Sequence, residues 1–126
     1  MTKQEWARRL RDDTGHHYNC AQSVLIPFSA ELGLTPEQAE GLAAHFGGGM
    51  GCGGACGALT GALMVLGGLG EDRRSELLRE FRAAKGAVDC RELLAAAVQA
   101  GTERKVHCDE LVSFCVDYLC RITEGR

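Results

Sequence analysis

The chain has 126 residues and a formal net charge of -3, from 14 lysines and arginines against 17 aspartates and glutamates. That length suits a single domain able to bury roughly two-thirds of its unfolded surface. The near-balanced charges, with Arg8, Arg9 and Arg11 offset by Asp12 and Asp13, exclude the phosphate-tracking surface that a nucleic-acid partner requires.

In chain order, "KQEWARRLRDD" places Trp6 and Leu10 four apart, as one face of a helix that ends near Gly15. The stretch before and through it is charged and lacks the apolar run and cleavage site of a signal peptide, so a cytoplasmic protein is expected. "NCAQSVLIPFSAEL" follows with Asn19 as N-cap, Gly33 as stop and a kink expected at Pro27, whose ring opposes the carbonyl of Ser23. "TPEQAEGLAAHF" carries a cap at Thr35, proline at its first position and Gln38 placed to close a capping box. Next comes "FGGGMGCGGACGALTG", half glycine, running into a buried helix predicted over Ala55 to Leu66. Phe46 to Gly70 contains no charge, but its first half is mostly glycine and its continuous apolar part is too short to span a bilayer. "DRRSELLREFRAAKG", "DCRELLAAAVQAG" and "CDELVSFCVDYLCRI" complete the set. No segment alternates as a strand does, and no repeat or linker divides the chain. The expected fold is all-α: one domain over residues 1–126, a compact multi-helix bundle whose glycine-rich loop leads into a buried central helix.

Seven cysteines need an explanation in a reducing compartment, where structural disulfides are disfavoured and metal binding or redox chemistry leads. Cys20 follows Asn19, Cys90 follows Asp89 with Glu92 placed for a capping box, Cys108 precedes the acidic pair Asp109 and Glu110, and Cys56 lies where glycine gives way to helix. Each is therefore predicted at a helix N-terminus, where unpaired amides and the helix dipole favour a thiolate. Thiolates are both metal ligands and nucleophiles. The glycines around Cys56, namely Gly53, Gly54 and Gly57, would bring main-chain amides close to a bound group. Gly57 and Gly61, four apart, also permit a neighbouring helix to pack closely. Cys115 and Cys120 fall mid-helix, where burial as small hydrophobes is the expected role. Cys52 is open between resolving thiol, ligand and neither, and His16, His17, His45 and His107 carry little weight. "GMGCGG" fits a dinucleotide fingerprint but has no strand before it, no lysine ends a P-loop, and there is no C-x-x-C.

The ordered set "NCAQSVL", "FGGGMG", "CGALTGALMVLG", "DCRELL" and "CDELV" resembles the redox-active family named for the pattern C_GCAxxG_C_C, over nearly the whole chain. The family's shared cysteines fall on Cys20, Cys56, Cys90 and Cys108. The resemblance implies a helical redox protein, often associated with transporter genes, and a similar domain in split-Soret cytochromes implicates an iron–sulfur centre. Cys52, Cys115 and Cys120 lie outside the shared pattern. Three functions remain open. The first is an electron carrier in which the four shared cysteines hold one cluster, [2Fe–2S], and exchange electrons with a partner protein. The second is a thiol–disulfide oxidoreductase with Cys56 attacking and Cys52 or Cys20 resolving. The third is a structural zinc site on the same thiolates.

Overall fold

The computed structural model describes residues 1–125, and these form seven α-helices: α1 (Lys3–Asp12), α2 (Cys20–Leu25), α3 (Pro36–Ala43), α4 (Gly57–Leu69), α5 (Arg74–Lys85), α6 (Cys90–Gln99) and α7 (Arg104–Glu124). Among the described residues there is no strand, only an isolated antiparallel bridge between Ala55 and Asp89. No helix among them is long and apolar enough to cross a membrane.

Local chemistry sets most of the boundaries. Asn19 caps α2, its side chain accepting from Gln22 N at 2.8 Å while Gln22 returns an acceptor to Asn19 N at 2.8 Å. The Asn19 amide also donates to the carbonyls of Ala43 and Ala44, tying the start of α2 to the end of α3. At Pro27 the chain does not continue as a kinked α-helix. It tightens into 3-10 turns over Ile26–Phe28 and Ala30–Leu32, which need no hydrogen bond from proline, and Gly33 ends them at φ 72°. Thr35, Pro36 and Gln38 form the expected capping box of α3. Two starts differ from the sequence reading. Helix α4 begins at Gly57, not Ala55, because Ala55 is held in the bridge. Helix α7 begins a full turn early, at Arg104, with Glu103 as its N-cap, so Cys108 lies in its second turn and not at its start.

Helices α2, α4 and α7 pack against one another at the centre, with α1 laid on α7. The α2–α4 contact is at backbone level. A Cβ at Gly57 would lie 2.8 Å from the Phe46 carbonyl oxygen and 3.4 Å from Cys20 Cβ; one at Gly61 would lie 2.8 Å from the Ala21 carbonyl oxygen. Phe28, Phe81, Leu119 and Tyr118 fill the interior, and the Tyr118 hydroxyl donates to Glu76 at 2.6 Å, joining α7 to α5. Helix α6 is the lightly attached one: it buries only Leu93 and Ala97 and leans on α7 and on the glycine turn.

This packing predicts opposite effects for two alanine substitutions in one helix. Gly61→Ala pushes a methyl group into the α2 backbone and should cost roughly 1–3 kcal/mol. Gly67→Ala, where a Cβ meets nothing within 4 Å, should stabilise by about 0.5–1 kcal/mol through helix propensity. Thermal unfolding of the two variants reads the difference in sign.

Candidate four-cysteine redox centre

Four elements deliver one cysteine each to a single cavity of about 560 Å³. Cys20 is the first residue of α2 and Cys56 is the N-cap of α4. The glycine contact between these helices therefore brings the two cysteines together. Cys90 is fixed by the bridge: Cys56 N donates to the Val88 carbonyl at 2.9 Å and Cys90 N to the Gly54 carbonyl at 2.6 Å. Cys56 and Cys90 each stand one residue beyond the bridged pair, on the same face of the two extended segments. The amide of Cys90 is thus committed to Gly54, and Asp89 makes no side-chain cap; the capping box expected with Glu92 does not form. Cys108 enters from α7, and Arg11, Arg104 and His107 line the same space.

The sulfurs are electrically coupled. The neighbouring Cys20 thiol pushes Cys108 down to about 6, against its burial and with help from the charges of Arg11 and Arg104. The same neighbourhood, with burial, pushes Cys20 far up. Of the two, Cys108 is the more acidic. Burial raises Cys56, while the backbone N–H groups of Leu59 and Ala58 in the first turn of α4 act to lower it. Burial also raises Cys90, followed by the charge on Cys108, with Arg104 opposing. Among the described residues, no three His, Cys, Asp or Glu side chains are grouped for a single metal ion.

The other cysteines lie elsewhere. Cys115 is fully buried behind Cys56, its thiol pushed well up by burial. Cys120 is buried on another side of α7, with Glu124, Asp117 and Lys3 as its charged neighbours. Cys52 is exposed and outside the cavity lining, its thiol donating to the Gly49 carbonyl at 3.4 Å.

The glycine run has a more specific use than amide display. Gly48, Gly49, Met50 and Gly51 all have φ between 60 and 73°, a left-handed turn in which only Met50 bears a Cβ. Gly54 N closes it onto the Gly49 carbonyl at 2.9 Å. A Cβ at Gly49 would lie 2.5 Å from Gly54 N and 2.8 Å from Cys90 Cβ, so this glycine lets the turn rest against a site cysteine. Of the glycines singled out from sequence, Gly57 lines the cavity. Gly53 packs against Arg91, whose guanidinium donates to the Cys52 carbonyl at 3.2 Å, and Gly54 supplies the carbonyl that holds Cys90. Gly49, Arg11, Arg104 and His107 were not identified as site residues. For Arg104 a signal existed: it lies one helical turn before Cys108, on the same face. His107 Nε2 is buried with no hydrogen-bond partner, which no sequence pattern announces.

The family model described as "Putative redox-active protein (C_GCAxxG_C_C)" matches residues 18–122, which include all four cavity cysteines and exclude α1. No curated protein and no solved structure matches the chain.

The charge distribution fixes an order of reactivity for reduced, metal-free protein. Cys108 should be alkylated by iodoacetamide ahead of Cys20 and Cys56, with a rate that rises through a midpoint near 6, because its folded value is depressed and the thiolate forms as pH rises through that point. Cys115 should remain unmodified until the protein unfolds. Peptide mass spectrometry across pH 5–8 gives the order.

Proposed function

The chain belongs to the C_GCAxxG_C_C family of redox-active proteins, and we propose that its redox group is an iron–sulfur cluster, [2Fe–2S], held by Cys20, Cys56, Cys90 and Cys108. The observation that carries this reading is the meeting of four cysteines, one each from α2, α4, α6 and α7, around one cavity. Four thiolates are the ordinary ligand count for such a cluster. When bound, the cluster supplies one-electron transfer without moving atoms.

The chain's own residues suit that group. All four cysteines line the same cavity, with the bridge holding the backbone of Cys56 and Cys90 at its edge. Arg11 and Arg104 place positive charge beside Cys108, and the amides of Ala58 and Leu59 face Cys56, so negative charge on the sulfurs is opposed from two sides. Cys56 is only 2% exposed, which keeps water from that side. Electrons would pass to and from a separate partner protein at the open side of the cavity.

One observation favours a second reading: Cys20 and Cys108 line one cavity and are shifted in opposite directions, Cys108 down and Cys20 up. In a thiol–disulfide oxidoreductase the Cys108 thiolate would attack a substrate disulfide and expel one thiolate. Cys20 would then give up its proton, attack the Cys108 sulfur and release the second thiol, leaving a Cys20–Cys108 disulfide and a substrate reduced by two electrons.

Anaerobic reconstitution separates the two. The cluster reading expects about two irons and two sulfides per chain, visible absorbance that survives Cys52→Ser, and loss of most of both signals in Cys56→Ser and Cys90→Ser. Protein that takes up no iron but turns over a small disulfide, with activity lost in Cys108→Ser and retained in Cys90→Ser, would establish the second reading instead.

A further inference from the structure

Arg11 lies near the end of α1, a helix that finishes before the family match begins. Its neighbours Arg8 and Arg9 are exposed, whereas the Arg11 side chain is only 10% exposed. It is anchored twice. Nε donates to Asp109 Oδ1 at 2.8 Å, and one Nη1 hydrogen goes to the Tyr18 carbonyl at 3.0 Å. The guanidinium is thereby held to α7 beside Cys108 and to the chain two residues before Cys20. It lines the four-cysteine cavity, and Cys20 and Cys108 are among its electrostatic partners. Five N–H groups on a rigid fork allow such a side chain to keep both anchors and still present charge to the sulfurs.

We propose that Arg11 sets the reduction potential of the four-cysteine centre, with Asp109 as its counter-charge. The inference rests on the reading of that cavity as the redox site. Uptake of one electron by a thiolate-bound cluster adds one negative charge, so a fixed cation beside Cys20 and Cys108 favours the reduced state. Asp109 offsets part of that effect, since it pairs with Arg11 and also with Lys105 at 2.7 Å. The sign is the same for a dithiol. There, two small-molecule thiols reduce a Cys20–Cys108 disulfide, yielding two protein sulfurs and one small disulfide, and the guanidinium stabilises the sulfur that ends as thiolate. Arg11 is a positioning residue: it acts through the cysteines.

The experiment compares full-length wild type with Arg11→Gln, Arg11→Lys and Asp109→Asn. Each is reconstituted anaerobically, assayed for iron and sulfide, and titrated spectroscopically for its midpoint potential. A metal-free portion is equilibrated in oxidised and reduced glutathione, and the Cys20–Cys108 pair is read by thiol trapping. Arg11→Gln should lower the equilibrium constant for reduction about tenfold, which is ~59 mV for a one-electron couple. Asp109→Asn should move it the opposite way, and Arg11→Lys should recover most of the wild-type value. Lost packing alone does not produce opposite signs from the two partners of one ion pair. Unmoved potentials, or shifts in the same direction, in variants that load a cluster or form the disulfide would overturn the role of Arg11 and leave the redox site standing. A wild type that neither loads iron nor forms the disulfide would overturn both.

Discussion

The close approach of α2 and α4 is the contact on which the rest of the arrangement depends. Where most helix pairs meet through side chains at 8–10 Å, Gly57 and Gly61 let the α4 backbone rest on Ala21 and its carbonyl. That contact sets the first residue of α2 beside the N-cap of α4, and so Cys20 beside Cys56. From there the geometry propagates. The segment just before α4 is extended and free to bridge the segment before α6, and the bridge carries Cys90. Helix α7 packs on both α2 and α4 and brings Cys108 over the same point.

A second consequence of this convergence is electrostatic. Thiols forced together cannot all ionise, and the division here is uneven: Cys108 is pushed down, Cys20 is pushed up, and burial raises Cys56. Cys108 receives the charge because the guanidiniums of Arg11 and Arg104 lie on its side. The helix-dipole argument contributes less than sequence suggested, since the most acidic thiol of the four is the one that does not begin a helix.

Much of the fold was legible because helix ends are written locally. Asn19, Thr35 with Pro36, and the glycines that close α4 and α5 act over three or four residues, and the sequence shows them directly. The all-helical class and the burial of Cys115 and Cys120 follow from the same periodicity. What was not legible depends on contacts distant in sequence. The start of α7 was misplaced because "TERKV" has no strong cap and the acidic pair after Cys108 imitates a first turn. The start of α4 and the missing Asp89 cap depend on a bridge between segments more than thirty residues apart. Arg11 had no sequence signal at all, because its partners are Tyr18 on one side and Asp109 on the far helix. The glycine run was recognised as a site feature, but its use lies in a left-handed turn against Cys90 that only three dimensions disclose.

The light attachment of α6 gives the centre a mechanical meaning. This helix buries two side chains and is otherwise held by α7, the glycine turn and the bridge at its first residue. Elements with so few apolar contacts open locally at lower free energy than the core. A group bound to Cys90 together with three cysteines of the central helices would act as a latch on α6, and ligand binding to the closed form alone stabilises it by mass action. Swinging α6 outward would expose the cavity without disturbing the α2–α4 contact. Opening at this helix would thus change access to the cavity while the remainder stays folded.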